Sequence, residues 1–292
     1  MIERLPRSRY TPIRHIVQGI VLLLFIGTAR WGWTLLDRPV LSGTLSASKV
    51  LNTIPLSDPL ALLERFAAGH IPTLGALTGA LVVLVLYGTL GSRTFCGWIC
   101  PMNAVVEFAA FLRGRLGLTA DALRVSRSAR YVLLSGALLA SALTGTAAFE
   151  VMSPQGLLWR DIVFGTGLSA LAAASGVFAL ELAVMKEGWC GHLCPLGAFW
   201  ALVGKIVRRP ALRIRFDDEV CTRCGDCLHV CPERQIIRFK DLARTGRIPT
   251  GECLNCGKCI EHCPEDALRF ELFGQRSGRD VSDRSNTRRR SP

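Results

Sequence analysis

Hydrophobic positions along the chain fall into two regimes. Up to about residue 205 they form long runs separated by short charged stretches, and beyond it they are scattered among polar residues and cysteines. Four runs are long enough to concern a bilayer: Ile16 to Leu36, interrupted by Arg30; Ile71 to Ser92, 22 residues without charge; Tyr131 to Phe149; and Ile162 to Leu180. About 20 apolar residues carry a helix across the hydrocarbon layer, so each run predicts a transmembrane helix. The first follows Arg4, Arg7, Arg9 and Arg14 and has small residues at Gly27-Thr28-Ala29, the outline of a secretory signal. Its continuation through Trp31 and Trp33 makes it long enough to span uncleaved. Between the first two runs Asp58 is placed as an N-cap and Pro59 suits a first helical turn. Leu60, Leu63 and Phe66 share a face and Gly69 ends the pattern, which predicts a short amphipathic helix on the outer membrane surface.

Charge orients these spans. Arg93, Arg113, Arg115, Arg124, Arg127 and Arg130 follow the second run, and Lys186, Lys205, Arg208, Arg209, Arg213 and Arg215 follow the fourth. The stretch from Asp37 to His70 is neutral, so the positive-inside rule puts both termini in the cytoplasm with an even number of spans. The six tryptophans, Trp31, Trp33, Trp98, Trp159, Trp189 and Trp200, lie near predicted span ends, as an interfacial belt expects. Arg30 is costly in lipid and should pair or snorkel. Asp37, His70, Glu150 and Asp161 share the outer side, where they are surface groups or acceptors for quinol protons. With 292 residues, half of them hydrophobic, a net charge of +12 and a mean hydropathy of +0.32, the chain reads as a membrane part plus a soluble part. The basic excess flanks apolar spans and gives no nucleic-acid signature, and the tail from Arg276 to Arg290 has the composition of a disordered segment. The segments are 1–15, a basic cytoplasmic N-terminus; 16–205, the membrane domain; 206–274, a cysteine-rich domain; and 275–292, the tail.

The cysteines give the chemistry. Cys221-x2-Cys224-x2-Cys227-x3-Cys231-Pro232 and Cys253-x2-Cys256-x2-Cys259-x3-Cys263-Pro264 are two copies of the bacterial [4Fe–4S] ferredoxin run. In two-cluster ferredoxins the fourth cysteine of each run serves the other cluster. Cys221, Cys224, Cys227 and Cys263 would hold one cluster, and Cys253, Cys256, Cys259 and Cys231 the other. Zinc ribbons use paired hooks and have no role for the third, evenly spaced cysteine. Gly225 and Gly257 would let the backbone approach inorganic sulfide. The remaining four of the 12 cysteines lie in Cys96-x3-Cys100-Pro101 and Cys190-x3-Cys194-Pro195, leaving none for disulfides and indicating a reducing compartment.

Those four belong to an internal repeat. The segment from Phe95 to Ala104 and that from Trp189 to Ala198 agree in aromatic, Cys, Gly, Cys, Pro and Ala positions, and each follows an even-numbered span. The membrane domain therefore reads as two two-helix repeats that bring the cysteine pairs to one face. Each proline suits the first turn of a further helix, Met102 to Leu112 and Leu196 to Val207. Four converging thiols could ligate a third cluster or a metal, act as a redox-active dithiol, or simply pack; His192 has no counterpart at Ile99. The fold class is mainly α: four transmembrane helices in two repeats, with a C-terminal α+β 2[4Fe–4S] ferredoxin domain.

The chain resembles the NapH/MauN-type membrane ferredoxins in the motifs Pro55-Leu-Ser-Asp-Pro-Leu, Gly69-His-Ile-Pro, Leu77-Thr-Gly-Ala, Phe95-Cys-Gly-Trp-Ile-Cys-Pro, Ser141-Ala-Leu-Thr-Gly-Thr and Gly188-Trp-Cys-Gly-His-Leu-Cys-Pro, and in both ferredoxin runs. The resemblance implies a multi-pass protein of the bacterial inner membrane with cytoplasmic clusters. It would pass electrons between the quinol pool, a ferredoxin-type iron–sulfur partner and a periplasmic nitrate reductase or methylamine dehydrogenase system, without a substrate-transforming site of its own. A metal reductase or maturation factor for a periplasmic enzyme is the alternative, though only His70 and Met152 offer outer-side metal ligands. A transporter is disfavoured by the uncharged third and fourth runs.

Overall fold

The computed structural model describes residues 9–118, 121–123, 125–165, 168–207 and 210–272. The basic tail 275–292 and most of the basic N-terminal segment lie outside the described residues. Helix α1 (Tyr10–Trp31) starts earlier than the apolar run, because the Glu261 carboxylate accepts the N–H groups of Tyr10 and Thr11 and stands in for a cap. It stops at Gly32, whose φ of 64° leaves the helical region.

Two small antiparallel sheets follow where a loop was expected. Strands β1 (Thr34–Leu35) and β2 (Arg38–Pro39) form a hairpin, and β3 (Leu41–Gly43), β4 (Ala47–Val50) and β5 (Ile54–Ser57) form a meander. The first turn holds Leu36 and Asp37 at positive φ, and the second holds Leu51 and Asn52 there. Such turns normally announce themselves with Asn-Gly or Asp-Gly, and these sequences do not.

Helix α2 (Pro59–Ala67) has the predicted cap, with Asp58 accepting from the Leu60 N–H at 2.9 Å. One side of it packs into the protein. Leu60, Ala61 and Glu64 are buried while Leu63 and Phe66 are exposed, so the inward face is not the one the apolar spacing indicated. Glu64 is tolerated inside because its carboxylate accepts the N–H groups of Phe149 (2.8 Å) and Glu150 (3.0 Å).

Next come α3 (Leu74–Leu90), α4 (Thr94–Trp98), α5 (Met102–Arg115), α6 (Ala129–Thr144), α7 (Ala148–Met152), α8 (Pro154–Phe164), α9 (Ser169–Ala179) and α10 (Pro195–Ile206). Helix α9 runs on into a π-helical turn, Leu180–Val184, and a second π turn, Trp189–Leu193, precedes α10. Among the described residues α1 alone is long and apolar enough to cross a membrane. The other apolar helices, Leu74–Leu90, Ala129–Thr144, Ser169–Val184 and Pro195–Ile206, are shorter. The fourth predicted run is not one helix. Gly165 (φ 71°) closes α8, and Asp161 caps α9 by accepting from the Ser169 hydroxyl (2.7 Å) and the Ala170 N–H (2.6 Å).

Two tryptophans depart from the interfacial belt. Trp159 packs edge-on against Phe25 and Trp200 against Tyr87 and Phe199, each with 1% of its surface exposed. Arg30 finds its partner in the Val163 carbonyl, to which its Nε donates at 3.3 Å.

The C-terminal module pairs β6 (Leu212–Phe216) with β7 (Leu268–Leu272) antiparallel, from Leu212 opposite Leu272 to Phe216 opposite Leu268. Between them lie α11 (Asp226–Val230), the short helix Arg234–Ile236, α12 (Phe239–Thr245) and α13 (Lys258–Glu261). Ile214, Phe216, Ile236, Ile237, Leu242, Ile248 and Leu268 form its core together with Cys227, Cys231, Cys253 and Cys259. The cysteines are thus part of the packing and not an addition to it.

Candidate cysteine centres

Each ferredoxin run makes the same local structure. Two residues past the first cysteine the chain takes a positive φ, at Arg223 (57°) and Asn255 (50°), which aims each N–H at the Cys221 and Cys253 Sγ, both at 3.4 Å. The glycine before the third cysteine is also left-handed, Gly225 at 89° and Gly257 at 77°, and serves as the N-cap of α11 and α13. A Cβ at Gly257 would meet the Tyr10 ring at 2.7 Å, whereas at Gly225 it would meet no protein atom within 4 Å. Backbone conformation is therefore the requirement common to both glycines.

The thiols gather in three groups. Cys227 feels the charges of Cys224, Cys263 and Cys221, and burial together with those neighbours pushes it up to about 11. Among Cys231, Cys253, Cys256 and Cys259 every pair interacts; all four are buried, and Cys253 is pushed up to about 12. The fourth cysteine of each run thus sits with the first three of the other.

The third group is Cys96, Cys100, Cys190 and Cys194, in which again every thiol interacts with the other three. Cys96 lies on α4, Cys190 in the π turn Trp189–Leu193, and Cys194 caps α10, its Sγ accepting from the Gly197 N–H at 3.4 Å. The helices predicted after the two prolines are present as α5 and α10. Burial raises all four thiols and lifts Cys194 to about 12, while the Arg93 guanidinium works in the opposite direction at Cys96. His192 stays outside the group, its Nδ1 3.1 Å from the Glu187 carbonyl. Among the described residues no three His, Cys, Asp or Glu side chains converge on a single metal ion. A zinc site would need thiolates about 3.8 Å apart, from Zn–S bonds of about 2.3 Å at tetrahedral angles, whereas a cubane gives each thiolate its own iron and spreads them wider.

The third group sits against the second. Trp98 Nε1 donates to the Asn255 carbonyl (2.9 Å), and Asn255 Nδ2 donates to Thr94 Oγ1 (3.1 Å). A Cβ on Gly97 would come within 2.7 Å of the Leu254 carbonyl oxygen, so only glycine permits this approach. Arg93, fully buried, donates to the Glu233 carboxylate, to the Glu252 carbonyl (3.1 Å) and to the Cys190 carbonyl (3.1 Å). Arg127 pairs with Glu233 and Arg130 with Glu252, completing a network of three arginines and two glutamates between the two parts. From the other side Arg14 donates to the Gly97 carbonyl (3.3 Å) and to Glu107 (2.8 Å), and Lys258 reaches Glu107 at 3.1 Å.

A family model described as a 4Fe-4S dicluster domain matches residues 213–264, and one described as a 4Fe-4S binding domain matches twice, at residues 73–119 and 166–213. The double match falls on the repeat that carries the Cys-x3-Cys-Pro motifs. The ferredoxin-type protein NapH of Escherichia coli is 40% identical over 232 residues, 79% of this chain and 77% of the relative. The methylamine utilization ferredoxin-type protein MauN of Methylorubrum extorquens is 40% identical over 78% of this chain and 77% of its own. NapH of Haemophilus influenzae is 39% identical over 79% and 77%. The chain belongs to the NapH/MauN family of ferredoxin-type proteins. No solved structure matches it.

As a family member it is an iron–sulfur electron-transfer protein. The sequence identified every cysteine of the three groups. It attributed Arg93, Arg127 and Arg130 to membrane orientation only, and it gave no reason to single out Glu233 and Glu252. Their adjacency to Cys231-Pro232 and Cys253 was the available signal, since a carboxylate beside a buried centre needs a counter-charge.

Proposed function

We propose that this protein is a membrane-bound electron carrier that passes electrons between the quinol pool and a periplasmic respiratory or amine-oxidising system, of the nitrate reductase or methylamine dehydrogenase type. In this reading Cys221, Cys224, Cys227 and Cys263 hold one [4Fe–4S] cluster, Cys253, Cys256, Cys259 and Cys231 a second, and Cys96, Cys100, Cys190 and Cys194 a third. When bound, such clusters supply one-electron transfer at potentials set by hydrogen bonds to sulfur, charge and exposure.

The single observation that carries the reading is the seating of the Cys96 helix on the Cys253–Cys259 loop through Arg93, Trp98 and Asn255. The protein's own residues fix that contact, bury six of the thiols and donate N–H groups to Cys194, Cys221, Cys253 and, from Ala267 at 3.3 Å, Cys263. Cys224 is exposed whereas the whole second group is buried, which supports the first group as the side that meets an iron–sulfur partner protein. The proposal includes four membrane-crossing helices, with the cysteine centres and both termini cytoplasmic; the arginine-rich stretches beside the centres support that orientation.

Replacing Cys96, Cys100, Cys190 and Cys194 with serine tests it. The C-terminal module should keep its clusters and be reduced by dithionite, while quinol-driven reduction in membranes is lost. Normal quinol-driven reduction in that variant would overturn the relay.

A further inference from the structure

A cavity of about 180 Å³ lies between α1, α3, β5, α2 and α10, and none of its lining residues is a cysteine. It is walled largely by apolar side chains, among them Val21, Phe25, Val83 and Trp200. Its polar wall is made of Asp58, Glu150 and Gln155, with serine hydroxyls at 46, 48 and 57. Gln155 is only 6% exposed, and its Oε1 has no hydrogen-bond partner. Buried acceptors are almost always satisfied, so an orphan facing a cavity marks a position where a ligand donor belongs.

Two features define that ligand. The first is size and access. A cavity of about 150 Å³ accommodates benzene, so this one holds a single substituted ring. Leu86 lines the cavity while 45% exposed, on α3 beside exposed Val82 and Val85, a face that meets lipid in the membrane-bound reading above. A ring bearing an alkyl tail can enter with the tail left outside. The second is polarity. The wall offers a carboxylate at Asp58, a carboxylate at Glu150 and an amide oxygen at Gln155, acceptors that call for a ligand with hydroxyl donors. The far wall is Phe95, Ile99 and Leu196, which flank Cys96, Cys100 and Cys194, and Asp58 lies close enough to Cys96 to act on its charge.

We propose that this cavity is the binding site for the ring of a membrane hydroquinone, held by hydrogen bonds from its two hydroxyls to the wall formed by Asp58, Glu150 and Gln155. The inference rests on the quinol-linked reading above and assigns its location. Oxidation of the bound ring breaks two O–H bonds and forms two C=O bonds. The two protons pass to the Asp58 and Glu150 carboxylates, and the two electrons leave singly to one-electron acceptors of the iron–sulfur class. The outer-side groups singled out in the sequence divide accordingly. Glu150 lines the cavity, while His70 Nε2 lies 3.0 Å from the Gly145 carbonyl and Asp161 caps α9.

The test uses detergent-purified, cluster-loaded protein and a photoreactive azidoquinone with a decyl chain, with labelled peptides mapped by mass spectrometry. Competition by decyl-hydroquinone and by the matching quinone, at a pH where the carboxylates are ionised, gives the preference between redox forms. The expected label falls on segments 21–25, 41–58, 83–99, 150–156 or 196–200, and the hydroquinone competes better. Gln155→Leu should weaken hydroquinone binding roughly tenfold, the loss of about one good hydrogen bond. Glu150→Gln should narrow the preference between the two forms, because an amide can donate to a quinone carbonyl. Val83→Phe should fill the cavity and abolish labelling with cluster absorbance unchanged. Saturable labelling elsewhere, or labelling indifferent to all three variants, overturns this site and leaves the carrier reading standing. Absence of any saturable quinone binding to wild-type protein that still holds its clusters overturns both.

Discussion

Replacing Arg93 with methionine removes the centre of the junction between the N-terminal helical part and the ferredoxin module. The side chain is fully buried and makes charge-assisted bonds to Glu233, to the Glu252 carbonyl and to the Cys190 carbonyl. Taking one partner from a buried ion pair costs about 3–5 kcal/mol, because the remaining charge is left without compensation. Glu233 keeps Arg127 and lies 3.8 Å from Arg130, so the lower end, about 3 kcal/mol, applies. That corresponds to roughly a hundredfold more frequent opening of the docking loop. Hydrogen–deuterium exchange of the 252–256 segment, on cluster-loaded protein in detergent, reads this directly. Arg93→Lys should fall between, since an ammonium keeps the charge and loses the planar fork. Pairing Arg93→Met with Glu233→Gln should restore part of the protection, because the uncompensated carboxylate is then gone. An exchange rate within about threefold of wild type in the single variant would refute the assignment of docking to this network.

Burial, with the Glu150 and Glu64 charges adding to it, raises Asp58 from the usual carboxylate value to about 7. The folded state therefore holds this proton more tightly than the unfolded chain does. Its contribution is present in full below about pH 4 and is lost as pH rises through 7, by at most about 4 kcal/mol. Thermal unfolding scans should show that decline, and Asp58→Asn, which keeps an oxygen for the Leu60 N–H, should flatten it. For topology, alkaline phosphatase fused after Gly69 should be active, and fusions after Leu123 or Leu272 should be inactive; the reverse pattern would invert the orientation.

The parts of the fold legible in the sequence are those whose signal is local. The Cys-x2-Cys-x2-Cys-x3-Cys-Pro spacing, the Asp58-Pro59 cap and the prolines after Cys100 and Cys194 each specify their own structure within a few residues. The hairpin from Thr34 to Pro39 and the meander from Leu41 to Ser57 were illegible because Leu36-Asp37 and Leu51-Asn52 each put a leucine, a residue that seldom takes positive φ, first in the turn. The break at Gly165 was hidden because glycine inside an apolar run reads equally well as part of a helix, and only the Asp161 cap decides against continuity. The direction of α2 depended on a tertiary fact, the capture of Glu64 by the start of α7, which no helical periodicity contains. For the same reason the cavity went unread. Its acceptor Asp58 is far in sequence from Glu150 and Gln155, and they meet only once the start of α2 packs beside α7 and α8.

The central claim is that three groups of four thiols each hold a [4Fe–4S] cluster, forming a relay from the membrane part into the ferredoxin module. Non-haem iron and acid-labile sulfide, counted on anaerobically purified protein, test it most directly. The account predicts about twelve of each per chain, falling to about eight when Cys96, Cys100, Cys190 and Cys194 are all replaced by serine. A count of eight in the unaltered protein, or zinc in place of iron with electron transfer intact, would contradict it.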